Sequence, residues 1–108
     1  MPLPEKLEIG PYTWAVSDSE TDYNRVVVEN EGSVWGYIYY GKEKIVLCPD
    51  QAETHKRTAL MHEVMHAVYH QSSSKHDDPE EDFIRRLAVG LVDTLRRNPE
   101  FVAYLVGD

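Results

Sequence analysis

The sequence contains a single cysteine, Cys48, so the chain cannot form an internal disulfide bond. We therefore expect a reducing compartment, the cytoplasm. The sequence also lacks an apolar run close to the roughly 20 residues that a membrane-spanning helix needs. Residues 1–5 show neither the basic nor the apolar segment of a secretory signal. These absences predict a protein with no membrane partner.

Positive charge is scarce as well. Eleven Lys and Arg residues stand against 19 Asp and Glu residues, which gives a formal net charge of -8. A phosphate backbone would be repelled by this average charge, so we expect no nucleic-acid partner. The basic pairs Arg85-Arg86 and Arg96-Arg97 could form a stripe on a helix. We interpret them instead as a solvated helix flank that pairs with nearby acidic residues.

The remaining composition is that of an ordinary globular protein. The chain has 108 residues, of which 42% are hydrophobic and 28% are charged. This length suits one compact domain and is too short for two. Repeats and low-complexity segments are absent from the sequence. We therefore predict a single domain over residues 1–108.

The most informative stretch is His62-Glu63-Val64-Met65-His66, which matches the H-E-x-x-H signature of zinc hydrolases. Residues four apart on a helix differ by only about 40° in direction, so His62 and His66 can bind one metal ion. Glu63 points about 100° away from His62, where a carboxylate can take a proton from water at the metal. We predict a zinc site with Glu63 as the general base.

The flanks of this motif are free of charge, as a buried helix requires. A different interpretation of the same pattern is an amphipathic helix that carries two ordinary histidines and a surface glutamate. We prefer the zinc site, because the motif and its apolar setting agree.

The segments before the motif favour β-structure. We predict a short strand near 12–16, a surface loop over 17–24, and a second strand or an extended connector over 25–29. The β-forming runs 34–40 and 44–48 are separated by Gly41-Lys42-Glu43, which predicts a hairpin.

Helices should follow the hairpin. The first should run from about residue 51 or 54 to 69 or 70, with Asp50 as its cap. The second should start at Pro79, and a short terminal helix should follow Asn98-Pro99. The apolar positions expected on one face of the second helix are Phe83, Ile84, Leu87, Ala88, Leu91, Val92 and Leu95.

Two histidines do not complete a catalytic zinc site, which normally has three protein ligands and a water. His70 lies two helical turns from His62, about 12 Å, which is too far to share an ion. Tyr69 and Ser72 occupy the positions where metzincins need glycine and histidine, so that class is excluded.

The start of the second helix is a better source for the third ligand. Glu80 and Glu81 both lie near the edge of the predicted apolar face, whereas Asp82 points away from it. Periodicity does not separate Glu80 from Glu81. All three residues could instead stabilise the amino-terminal end of the helix.

The order of hairpin, Pro-Asp, H-E-x-x-H helix and Glu-led helix resembles the ImmA/IrrE-type metallopeptidases, in particular small zincin-like proteins of phages and prophages. The resemblance covers roughly residues 34–99, with the closest likeness over 45–50, 60–66 and 81–99. In that family the third ligand is a glutamate six residues before an aromatic residue or a leucine that precedes alanine. The pair Leu87-Ala88 therefore implies that Glu81 is that ligand.

The resemblance implies a fold and an activity. The fold would be α+β, a small zincin-like domain in which a short antiparallel sheet packs on the H-E-x-x-H helix and on a second, carboxy-terminal helix. The activity would be that of a gluzincin-like zinc metallopeptidase whose substrate is a protein or peptide. The resemblance also implies regulatory cleavage, for example of a repressor, in a bacterial cytosol or a phage-infected host.

Two functions are therefore carried forward. In the first, His62, His66 and Glu81 hold Zn²⁺, and Glu63 moves the proton during peptide hydrolysis. The candidates for a second oxyanion donor are His70, Tyr69, Tyr37, Tyr39 and Tyr40. In the alternative, the metal stabilises a non-catalytic domain that binds another protein. The sequence defines neither the substrate nor the oligomeric state.

Overall fold

The computed structural model describes residues 2–71 and 79–107, and for residues 79–82, 84 and 85 it describes the backbone alone. This part of the chain forms a small α+β domain with four helices and one mixed four-stranded sheet. Its elements in chain order are β1 (Lys6–Ile9), β2 (Tyr12–Ser17), α1 (Glu20–Asn30), β3 (Gly36–Tyr39), β4 (Lys44–Leu47), α2 (Glu53–Gln71), α3 (Pro79–Arg97) and α4 (Pro99–Val106).

Strands β1 and β2 form an antiparallel hairpin in which Ile9 is paired with Tyr12. The two-residue turn begins with Gly10 at a φ of 60°, and a glycine at this position is typical of type II′ turns. Alternate side chains, among them Leu7, Ile9 and Trp14, are buried against the helices. The predicted strand near 12–16 is confirmed.

Residues 20–30 form helix α1, so the predicted loop over 17–24 and the predicted strand over 25–29 are both wrong. Ser19 caps the helix, since its Oγ accepts a hydrogen bond from the backbone N–H of Asp22 at 3.1 Å. Val26 is fully buried while Val28 is 75% exposed. A strand would have placed these two side chains on the same face.

The predicted hairpin of β3 and β4 is confirmed, with Ile38 paired with Ile45. The order in the sheet is β1-β2-β4-β3, and β2 pairs with β4 in parallel. The expectation of an antiparallel sheet is therefore wrong for this pair. Helix α1 and strand β3 carry the chain back before β4 begins, and parallel neighbours need such a crossover.

The three later helices lie close to their predicted positions. Helix α2 starts at Glu53, so the predicted cap at Asp50 is wrong, and the carbonyl of Ala52 accepts the hydrogen bond from Lys56 N–H instead. The buried apolar side chains of α2 are Ala59, Leu60, Val64, Ala67 and Val68. They pack with the inner face of the sheet and with Phe101 and Tyr104 of α4.

Helix α3 crosses α2 closely where Gly90 meets Val68. Leu87, Leu91 and Leu95 form its inner row and pack against the core, as predicted. Val92 is 58% exposed, Phe83 is 38% exposed and Ala88 is also exposed, so the predicted apolar face is wider than the row that packs against the core. The prediction for Ile84 falls on a side chain outside the described residues.

Asn98, between α3 and α4, fixes these helices to the edge strand β1. Its side-chain amide donates to the carbonyl of Glu8 at 2.8 Å, and its Oδ1 accepts from Glu8 N–H at 2.9 Å. The same Nδ2 donates to the Thr94 carbonyl at 2.7 Å.

Among the described helices, none is long and apolar enough to cross a membrane.

Candidate metal centre

Helix α2 places His62 and His66 one turn apart on its exposed side. Their Nε2 atoms are 3.1 Å apart, and the ring centroids are 4.8 Å apart with the planes at 73°. Two nitrogens at this separation subtend an angle of about 100° at an ion located 2.0–2.1 Å from each, close to tetrahedral geometry. An N–H···N hydrogen bond also suits the distance, so the pair is compatible with either interaction.

Glu63 lies on the inner side of the same helical turn, and only 6% of it is exposed. One carboxylate oxygen and one ring nitrogen from each histidine lie within 4.8 Å of one another. Burial raises the pKa of Glu63, and the neighbouring His62 and His66 oppose this shift. A desolvated carboxylate beside two histidine side chains has the higher proton affinity that a general base needs.

Strand β3 leaves room for this carboxylate because its first residue is Gly36. A Cβ atom at residue 36 would lie 2.9 Å from Glu63 Oε2 and 3.2 Å from Leu47 Cδ2. Glu63 therefore sits directly under the backbone of a strand at the edge of the described sheet. Helix α2 and strand β3 therefore contact each other at Glu63, the proposed base.

An open cavity of about 260 Å³ extends from this point along α2. Its lining includes Trp35, His55 and Thr58, together with His62 and Glu63. The Trp35 and His55 rings meet edge to face with their centroids 4.7 Å apart.

The structure thus brings His62, Glu63 and His66 together, while the chemical role of each stays a prediction. Among the described side chains, this is the group of His, Cys, Asp and Glu residues close enough to hold one ion. The third ligand expected from the resemblance, Glu81, has a side chain outside the described residues, as do Glu80 and Asp82.

The described part of α3 nevertheless shows which side of α2 the start of α3 lies against. Phe83 contacts Tyr69 edge to face, with the ring centroids 5.1 Å apart. Tyr69 follows His66 by three residues and so projects from a similar direction of α2. The first turns of α3 therefore lie next to the side of α2 that carries the histidine pair.

The side chains predicted as oxyanion donors contact different parts of the fold. Tyr39 donates a hydrogen bond to Glu29 Oε2 at 3.1 Å, toward α1, and its ring contacts that of Tyr37. The Tyr40 ring lies against His70, with the centroids 4.3 Å apart. Burial, followed by the charge of Glu63, raises the pKa of Tyr40. The charge of Glu63 therefore acts on Tyr40.

Sequence reasoning missed Gly36, Trp35, Gln51 and His55 as parts of this site. One signal was present: a glycine inside a strongly β-forming run often marks a close approach of another group to the backbone. The others carried no signal, because the hydrogen bonds that connect them depend on how the hairpin and α2 come together.

Comparisons with known proteins identify no relative. No family model, curated protein or solved structure matches the chain. The functional interpretation therefore depends on the motif and on the geometry of its residues.

Proposed function

We propose that this protein is a zinc-dependent metallopeptidase. The observation that carries the proposal is the pair of Nε2 atoms of His62 and His66, 3.1 Å apart, beside the buried carboxylate of Glu63. Two neutral imidazoles suit zinc, and one adjacent desolvated carboxylate suits proton transfer. A purely structural histidine pair gives no reason for a carboxylate to be buried next to it.

His62 and His66 would hold the metal, and the sequence resemblance assigns the third ligand to Glu81. When bound, zinc lowers the pKa of water toward neutrality and polarises a carbonyl oxygen. Glu63 would accept the proton of the attacking water and pass it to the leaving amine nitrogen as the peptide bond breaks. The candidates to assist the carbonyl oxygen remain His70, Tyr69, Tyr37, Tyr39 and Tyr40.

The substrate would be an extended polypeptide segment. Strand β3 stands at one end of the described sheet order and passes over Glu63, so its free backbone groups can pair with an added strand. The net charge of -8 disfavours nucleic acid as a partner. Following the sequence resemblance, we place the activity in a bacterial cytosol or a phage-infected host, with a regulatory protein as target.

The test is hydrolysis of a mixed peptide library by the zinc-loaded protein, with zinc content measured in parallel. We expect wild type to cleave, and Glu63→Gln to keep the metal and lose about 10²- to 10⁴-fold in rate, as removal of a general base does. Glu100→Gln, which changes an exposed glutamate of α4, is the matched control and should cleave like wild type.

Two other outcomes would overturn the proposal. Zinc binding without turnover by wild type would favour the non-catalytic, protein-binding alternative. Loss of zinc from Glu63→Gln would mean that Glu63 is a ligand rather than the base.

A further inference from the structure

We propose that the cavity beside His62 and Glu63 is the specificity pocket of the site and that it takes an aromatic side chain flanking the scissile bond. This inference rests on the proposed peptidase function. The cavity has a volume of about 260 Å³, and Glu63 and His62 are part of its lining. A side chain in the cavity would therefore belong to a residue whose peptide group lies at the reactive carboxylate.

The outer wall of the pocket is an exposed tryptophan held by hydrogen bonds. Trp35 is 58% exposed, yet its carbonyl accepts from Cys48 N–H at 2.9 Å and from Gln51 Nε2 at 3.0 Å. These bonds fix the backbone that carries the ring. An exposed aromatic side chain on a fixed backbone loses little conformational entropy when it binds a ligand.

Gln51 also orients the second ring of the pocket. Its Nε2 meets two carbonyl oxygens, those of Trp35 and Cys48, so this atom is the donor and Oε1 is the acceptor. Oε1 faces His55 Nδ1 at hydrogen-bond distance, and His55 Nδ1 therefore carries a hydrogen. One glutamine thus contacts both the backbone carbonyl of Trp35 and the imidazole of His55.

The charge of the lining selects an uncharged ligand. The carboxylate of Glu63 lines the cavity, so an acidic side chain would be repelled there. A basic side chain would pair with Glu63 and occupy the proposed base. The remaining lining is two aromatic rings with the small side chains of Thr58 and Ala59 and the backbone of Gly36. Aromatic rings gain edge-to-face contacts with Trp35 beyond the burial of their area, which favours them over aliphatic side chains.

The first measurement is the cleavage profile of a library randomised on both sides of the scissile bond. Zinc-loaded wild type should prefer Phe, Tyr or Trp at one flanking position by about tenfold over Ala. Trp35→Ala should reduce this preference to about twofold, and Trp35→Phe should restore most of it. Tyr12→Ala, which removes another exposed aromatic ring, is the control and should keep the wild-type profile.

The second measurement does not need turnover. Calorimetry should show that phenylalanine hydroxamate binds the zinc-loaded protein about tenfold more tightly than glycine hydroxamate, and that Trp35→Ala removes the difference. Equal affinity of wild type for the two hydroxamates would overturn the assignment of this cavity as an aromatic specificity pocket.

The combined results separate this inference from the proposed function. Cleavage without an aromatic preference overturns the pocket and leaves the peptidase. Selective, Trp35-dependent binding without any cleavage supports the pocket and overturns the peptidase. Failure of both hydroxamates to bind overturns both.

Discussion

The carboxylate of Glu63 occupies space that is open only because residue 36 is glycine. The Cβ atom of any other residue there would approach Glu63 Oε2 to 2.9 Å and Glu63 Cγ to 3.3 Å. The φ of Gly36 is not positive, so the reason for glycine is the close approach and not the backbone conformation. This contact connects the edge strand of the sheet to the proposed catalytic base.

Gly36→Ala should therefore act on catalysis. The added methyl group displaces the Glu63 carboxylate, and a misplacement of about 1 Å can cost about 10²-fold in rate. We expect kcat to fall by about ten- to a hundredfold while one zinc ion per chain is retained, as measured by peptide hydrolysis and metal analysis. Gly32→Ala, where nothing lies within 4 Å of the new methyl group, is the control. An unchanged kcat in Gly36→Ala would contradict the assignment of Glu63.

Asn98→Ala should destabilise the fold. The substitution removes two hydrogen bonds to the backbone of Glu8 and one to the carbonyl of Thr94. Leaving such partly buried groups unpaired costs about 1–3 kcal/mol, so we expect a loss of about 2–4 kcal/mol in the free energy of unfolding, measured by urea denaturation. Asn24→Ala, at an exposed position of α1, should change stability by less than about 0.5 kcal/mol. Equal effects of the two substitutions would contradict this role.

Asp22 should make stability depend on acidic pH. The hydrogen bond from Ser17 Oγ, at 2.6 Å, and then the bond from Lys44, at 3.1 Å, hold the pKa of Asp22 below its ordinary value of 3.8. The folded state then binds fewer protons than the unfolded state, so the stabilisation is complete above the ordinary pKa and is lost as pH falls through the folded value.

The measurement is the free energy of unfolding of wild type and Asp22→Asn between pH 6 and pH 2.5. Wild type should be more stable by about 1 kcal/mol at pH 6, and the difference should shrink below about pH 4. A difference that stays constant over this range would show that the Asp22 charge does not contribute.

Gly90→Ala should have two opposing effects on the stability of the fold. Alanine favours the helix by about 1 kcal/mol over glycine, but its methyl group would stand 2.3 Å from Val68 Cγ1. Overpacking of this kind typically costs about 1–3 kcal/mol, so we expect a net loss of stability in thermal or urea denaturation. The double variant Gly90→Ala/Val68→Ala should show less than the sum of the two single losses. Strict additivity would mean that the contact does not exist.

The parts of the fold that could be predicted are those determined by residues that are close together in the sequence. The β3–β4 hairpin follows from two β-forming runs around Gly41-Lys42-Glu43. Helix α2 follows from the H-E-x-x-H motif and its uncharged flanks, and α3 follows from apolar spacing and from Pro79 at a helix start. The position of His62, Glu63 and His66 on one turn follows from helical geometry alone. These features need no information about distant residues.

Helix α1 was missed because the run Val26-Val27-Val28 favours a strand by propensity, while the burial of Val26 against the sheet is a tertiary effect. The capping pair of Ser19 and Asp22 was the local signal for a helix. Without α1 there is no crossover, so the parallel pairing of β2 with β4 could not be predicted either. The pocket of Trp35 and His55 likewise depends on a contact between elements that are distant in the sequence.

The most direct test of the central claim is the zinc content of the purified protein and of its histidine variants. We expect one zinc ion per chain in wild type and in the control His70→Ala, whose ring lies against Tyr40. His62→Ala and His66→Ala should lose the metal, and Glu81→Ala should bind it more weakly. A wild-type protein that takes up no zinc, or zinc retained equally by His62→Ala and His66→Ala, would contradict the account.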